Sequence, residues 1–191
     1  MNVFTEHTPD SAPPASRRAM AAVAEQWGYL PAAAALLAES PEALEGFLRL
    51  SAAFDRCTLD PVAREVVIMT VSARHGCRLC QAVHAARHAA LGADPSLTAA
   101  LRSAAPLGDA RLEAVRAFTL RALDTAGDVG DAAIGEFLGQ GFTRRNALEV
   151  VLGIGTYTMS TLANRLTGAP VDEQLAAHAW HPGDIVQHDR K

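Results

Sequence analysis

The chain has 191 residues, a length that suits one domain burying about two-thirds of its unfolded surface. Hydrophobic residues make up 49% and aromatics only 5%, so the core must be built from Ala, Leu and Val, which suits close helix packing. The formal net charge is −4 without a dense Lys/Arg run, which argues against a nucleic-acid partner; the apolar runs are short and broken by charge, which argues against a membrane span.

Residues 1–15, "MNVFTEHTPDSAPPA", are expected to form a flexible arm. Residues 1–18 show no positively charged start followed by an apolar block, so no secretory signal is expected and the expected compartment is the cytoplasm. Ser16 is placed to cap a first helix ending near Gly28, with Met20, Val23 and Trp27 near one face. A short helix is expected over residues 31–38. Ser40, Pro41 and Glu42 then open a helix to about Asp55 as N-cap, first helical residue and first-turn acid.

In "DPVAREVVIMTVSARHG", Asp60 caps, Pro61 starts and Gly76 ends a helix in a left-handed cap. Its body is apolar all round, which predicts a buried helix. The next helix runs to Gly92, and Asp94-Pro95 begins a short one. Leu112, Val115, Phe118 or Thr119, and Ala122 mark a helix that stops at Gly127. "AAIGEFLGQG" is a short helix ended by Gly141. Thr143 caps the longest, with a stripe of Ala147, Val150, Ile154, Tyr157, Thr161 and Arg165. Gly153 and Gly155 each cost about 1 kcal/mol inside a helix, so both are expected to admit a close neighbour. "PVDEQLAAHAW" reads as a last helix, and residues 181–191 as a polar tail. The prediction is one all-α domain over residues 16–180.

Chemistry concentrates in "GCRLCQAVHAARHAALG", residues 76–92. At 100° per residue, Cys77, Cys80, His84 and His88 share an arc of roughly 80°. The two thiols are within reach of a disulfide, and His84 stands one turn beyond Cys80, placed to take its proton. Both cysteines fall in the first helical turn, where unpaired N–H groups and the helix dipole stabilise a thiolate. Glu65 lies in the most apolar segment with Met69 and Ile68 as its i+4 and i+3 neighbours, so no local cation answers it. A buried carboxylate without a partner costs several kcal/mol or takes up a proton. It therefore needs a tertiary partner, and His84 on the following helix is the candidate. The result would be a Glu65–His84–Cys80 relay.

Other readings stand beside this one. A CxxC on an Ala-rich helix is often simply buried core. A metal site is disfavoured, because four ligands spread along one helix span about 16 Å, too far to surround one ion. Cys57 reads as a packing or surface thiol, His75 as a helix-terminal cation, and His178 and His181 as a solvated helix end. His88 lies too far along the helix to touch either sulfur.

The stretch "EVVIMTVSARHGCRLCQAVHAARHAALG" resembles the AhpD-like branch of the carboxymuconolactone decarboxylase family. The matching pattern is Glu65, the CxxC of Cys77 and Cys80, and His84 four residues after the second cysteine. A softer likeness covers "GFTRRNALEVVLGIGTYTMSTLANRLTGAPVDE", with its Asn-Arg pair before a short loop. The resemblance spans roughly residues 16–180. It implies an all-α AhpD-like protomer in a homo-oligomer, commonly a trimer or hexamer. It also implies a thiol-dependent hydroperoxide reductase using neither haem nor metal. In it peroxide attacks Cys80, Cys77 resolves the sulfenic acid to a disulfide, and a dithiol partner (a lipoyl or thioredoxin-like protein) restores the thiols. The helix dipole by itself favours Cys77 as the more acidic thiol, so the two arguments name different sulfurs. Leu79 stands where some members carry a His, so one polar group of the relay is missing here. Alternatives are a non-redox oligomer with an idle dithiol, and lactone-decarboxylase-like lyase chemistry with silent cysteines.

Overall fold

The computed structural model describes residues 3–181. It is built of helices, and among the described residues there is no strand. In chain order these are α1 (Arg17–Trp27), α2 (Ala32–Leu37), α3 (Pro41–Asp55), α4 (Pro61–His75), α5 (Arg78–Ala90), α6 (Pro95–Ser103), α7 (Ala110–Asp124), α8 (Gly130–Gly139) and α9 (Arg144–Thr167). A 3₁₀ turn at Pro14–Ser16 precedes α1, and a second at Glu173–His178 follows α9. The tail expected over residues 181–191 lies outside the described residues apart from His181.

The all-round apolar reading of α4 holds. Ala63 and every residue from Glu65 to Ser72 are buried, and α3, α5, α6, α7 and α9 pack around it. Asp60 Oδ1 accepts the Ala63 N–H at 2.9 Å, and Gly76 closes the helix with φ +63°. The main core joins Val66, Val67 and Met69 of α4 to Phe54, Val115, Phe118 and Val150.

The two glycines of α9 do different work. A Cβ on Gly153 would stand 2.6 Å from Phe54 Cζ and 2.9 Å from Val67 Cγ1, so this glycine lets α9 close on α3 and α4. A Cβ on Gly155 meets nothing within 4 Å, which corrects the expectation that both glycines serve packing. Gly153→Ala should destabilise the fold by about 1–3 kcal/mol through overpacking. Gly155→Ala should stabilise it by up to about 1 kcal/mol through helix propensity. Urea unfolding of the two variants checks the pair; a stabilised Gly153→Ala would remove the close-packing account.

Two other expectations change. Ser16 does not cap α1: its hydroxyl donates to the Ala38 carbonyl at 2.7 Å and ties α1 to the end of α2. The segment after α9 forms only the 3₁₀ turn. Asp172, just before that turn, accepts the Ala32 N–H at 3.0 Å and so satisfies a free N–H at the start of α2. In the segment read as an arm, the His7 N–H donates to the Ala35 carbonyl at 3.3 Å and Ala12 is buried.

Candidate active site

The site forms where α4, α5 and α9 meet. The left-handed turn at Gly76 reverses the chain, so the first turns of α5 run back past α4. Arg165 of α9 clamps this turn: its guanidinium donates to the carbonyls of His75 and Gly76. The His75 ring bonds Thr161 Oγ1 at 2.7 Å. Burial, then Arg165 and Arg74, push the His75 pKa down, so it is a neutral bridging group rather than a helix-terminal cation.

Glu65 has the tertiary partner that its position demands. Its Oε2 is 2.6 Å from His84 Nδ1, and both side chains are buried. Burial alone would raise the Glu65 pKa. His84, then Arg87 and His88, outweigh that and hold it below the usual carboxylate range. An ionised carboxylate only accepts, so His84 Nδ1 carries the hydrogen and Nε2 is the nitrogen open to a proton. Arg87 Nε lies 3.4 Å from Glu65 Oε1. It was missed in the sequence, although it sits one turn from His84 on the same helix. The Tyr157 and His84 rings pack edge to face, centroids 5.3 Å apart, which fixes the imidazole plane.

Cys77 is the N-cap of α5, and its sulfur accepts the Cys80 N–H at 3.4 Å. The two sulfurs are 2.7 Å apart, and both residues are buried. The hydrogen bond from Cys80 is the main cause that draws Cys77 down to about 7, against burial, with further help from the Cys80 N–H, Asn164 and Arg165. The same bond, then burial and the charge on Cys77, push Cys80 well up. Cys77 is therefore the more acidic thiol of the pair, the one that a place at the helix N-terminus also favours. Asn164 Nδ2 donates to Cys80 Sγ at 3.3 Å. This is the Asn of the Asn-Arg pair seen in the sequence, where it had no assigned role.

One expected contact is absent. Among the described residues, no hydrogen bond joins His84 to Cys80 Sγ, because Glu65 and Tyr157 hold the imidazole in place. Cys80 and His84 instead line one cavity of about 140 Å³, together with Trp27, Phe47, Leu79, Val83 and Tyr157. Leu79 thus serves as cavity wall.

The remaining candidates lie apart. His88 is buried with Nδ1 bonded to Thr98 Oγ1 at 2.9 Å. Cys57 is half-buried against the main core. The His178 carbonyl accepts from Arg102 at 2.7 Å, and His181 bonds Arg78. No group of three His, Cys, Asp or Glu side chains suited to a metal occurs among the described residues.

Residues 38–121 match the model of the carboxymuconolactone decarboxylase family, and Glu65, Cys77, Cys80 and His84 all fall inside the match. This segment, somewhat under half of the chain, is similar to the carboxymuconolactone decarboxylase family. Its fold is AhpD-like. A peroxidase-related protein from Ralstonia eutropha, described as an alkylhydroperoxidase AhpD core, superposes with a TM-score of 0.79 at 19% identity, covering 90% of this chain and 93% of that one. A peroxidase-related protein from a Silicibacter species gives 0.76 at 21% identity, with 91% and 92% covered. A debrominase crystallised with 2,3,4-tribromopyrrole gives 0.73 at 14% identity, with 93% and 96% covered. No curated protein matches the sequence. The matched family and the debrominase are named for enzyme activities, and no helix among the described residues is long and apolar enough to cross a membrane.

Proposed function

We propose that the chain is a thiol-dependent hydroperoxide reductase. The observation that carries the reading is the conjunction, around one cavity, of a dithiol with sulfurs 2.7 Å apart and a buried Glu–His pair at 2.6 Å. The hydroperoxide enters the apolar cavity, where Cys80 is the sulfur it meets. His84, which lines the same cavity without bonding the sulfur, takes the Cys80 proton at Nε2 through one bridging water, and Glu65 stabilises the imidazolium. The thiolate attacks the terminal peroxide oxygen. The O–O bond breaks, the alcohol leaves with the proton from His84, and Cys80 becomes a sulfenic acid. Cys77, the more acidic thiol, attacks Cys80 Sγ as its thiolate, and the hydroxide expelled takes up the proton that Cys77 gave up and leaves as water. One hydroperoxide and two thiols become one alcohol, one water and one disulfide. A dithiol reductant of the lipoyl or thioredoxin-like kind then restores the pair.

The cavity supports an organic hydroperoxide. Its volume of about 140 Å³ is close to the roughly 150 Å³ at which an apolar protein cavity accepts benzene. One equivalent of cumene hydroperoxide should therefore remove two hydrogens from the reduced chain, mapped by mass spectrometry to a Cys77–Cys80 link. Peroxide consumption without that link would overturn the reading. The aromatic-walled cavity and the debrominase likeness favour one second reading, in which the dithiol delivers its two electrons to a halogenated ring. The products would then be the dehalogenated ring, halide and the same disulfide, and halide release when a bromopyrrole replaces the hydroperoxide separates the two.

The homo-oligomer belongs to this proposal. Leu148, Val151, Leu162 and Leu166 expose an apolar stripe along α9, with 72%, 51%, 55% and 72% of their surfaces open, which supports an interface there.

A further inference from the structure

The two thiols open onto different spaces. Cys80 lines the apolar cavity, and Cys77 does not. Cys77 lines a second opening of about 240 Å³, and Cys80 does not. Leu79 and Asn164 border both and form the partition. The two spaces also differ in charge. The second opening is walled by Arg78 and Arg165, with Gly76, Gly168 and Ala169 leaving its sides low. Among the described residues, no Asp or Glu lines it. Both arginines are exposed, with Arg78 steadied by His181 and Arg165 by the carbonyls of the α4–α5 turn.

We infer that the reductant reaches the disulfide through this second, cationic opening, as an anionic thiol that attacks Cys77. The inference rests on the thiol-peroxidase reading and names the partner chemistry of that same dithiol. Substrate and reductant then use opposite sides of one S–S bond and need not exchange places in one cavity.

The chemistry closes in two steps. A reductant thiol attacks Cys77 Sγ, the Cys77–Cys80 bond breaks, and Cys80 leaves with the electron pair and takes the proton of the entering thiol. The second reductant thiol then attacks the reductant sulfur of the mixed disulfide. The reductant closes to its own disulfide, Cys77 leaves as thiolate, and the proton of the second reductant thiol passes to solvent. The second step profits from the environment of Cys77, since a thiol drawn down to about 7 is a good leaving group. Two guanidinium groups beside the opening raise the encounter rate of an anion in a salt-dependent way.

The test uses the full chain with its disulfide made beforehand by diamide, so peroxide plays no part in preparing it. Dihydrolipoate and dihydrolipoamide carry the same dithiol and differ by one terminal negative charge. At low ionic strength dihydrolipoate should reduce the disulfide about 5- to 10-fold faster, with the advantage lost in about 0.5 M salt. Arg78→Glu should abolish or reverse the preference, and Arg78→Lys should keep it. Comparing the ratio of the two reductants cancels any effect of the substitution on thiol acidity itself. Brief reaction with thioglycolate, quenched by N-ethylmaleimide, should leave the mixed disulfide on Cys77. A ratio of one at low salt, a ratio unmoved by Arg78→Glu, or a mixed disulfide on Cys80 would each overturn the inference. Failure of peroxide to form the disulfide would instead overturn the functional reading.

Discussion

Cys80→Ser should lose peroxide turnover by about 1,000-fold or more, whereas Cys77→Ser should consume one equivalent of hydroperoxide and stop. The stalled product is a Cys80 sulfenic acid, to be trapped with dimedone and located by mass spectrometry. Two arguments compete over which sulfur is attacked. Acidity favours Cys77, which is drawn down to about 7 while Cys80 is pushed up. Yet a tenfold gain in thiolate population per pKa unit is partly offset by a roughly threefold loss in nucleophilicity, so acidity alone discriminates weakly. Position discriminates strongly, because Cys80 shares the cavity with His84 and Cys77 does not. The elevation of Cys80 also depends first on its bond to Cys77. Cys77→Ser removes that bond and the charge behind it, so the first oxidation of Cys80 should stay within about tenfold of the wild-type rate. The reverse pattern, one equivalent consumed by Cys80→Ser and none by Cys77→Ser, would make Cys77 the attacked thiol.

Most of what the sequence revealed was local. Asp60-Pro61 and Gly76 mark α4 because capping and left-handed turns are properties of a few adjacent residues. The pairing of Glu65 with His84 followed from a local absence: no neighbour on α4 could answer a carboxylate in that apolar run, so a partner had to come from outside. The misses are tertiary. Asn164 and Tyr157 reach the site from α9, where the helical pattern marks them as core or surface but not as neighbours of Cys80 and His84. The i, i+4 spacing of Cys80 and His84 permits a direct bond. The imidazole is oriented by Glu65 from another helix, and spacing within α5 carries no information about that. Ser16 failed as a cap for the same reason, since its hydroxyl is used by a distant backbone carbonyl.

Glu65→Gln tests whether the buried pair works as a pair. The substitution keeps size and a hydrogen-bond acceptor but removes the charge facing His84 at 2.6 Å and Arg87 at 3.4 Å. Oxidation of Cys80 should slow by about 100-fold, the lower range for loss of an oriented general base, because an imidazolium forming at His84 is no longer stabilised. Stability at neutral pH should fall by about 1–3 kcal/mol, since Arg87 and the imidazole lose their anion in a buried site. A merely structural role predicts the stability loss but not a pH signature. Glu65 is held below its ordinary value in the folded chain, so its contribution is present above the unfolded value of about 4.3 and is lost as pH falls through the lowered folded value. Over that window the unfolded chain binds more protons, and wild-type stability rises with pH. The gap between wild type and Glu65→Gln should therefore be widest near neutrality and close as pH falls through the acid range. Urea unfolding at a series of pH values, with the single-turnover oxidation rate measured beside it, reads both effects. A gap that stays constant into acid would show that shape rather than charge is what the residue supplies. An unchanged oxidation rate would remove Glu65 from the relay and leave His84 to act without it.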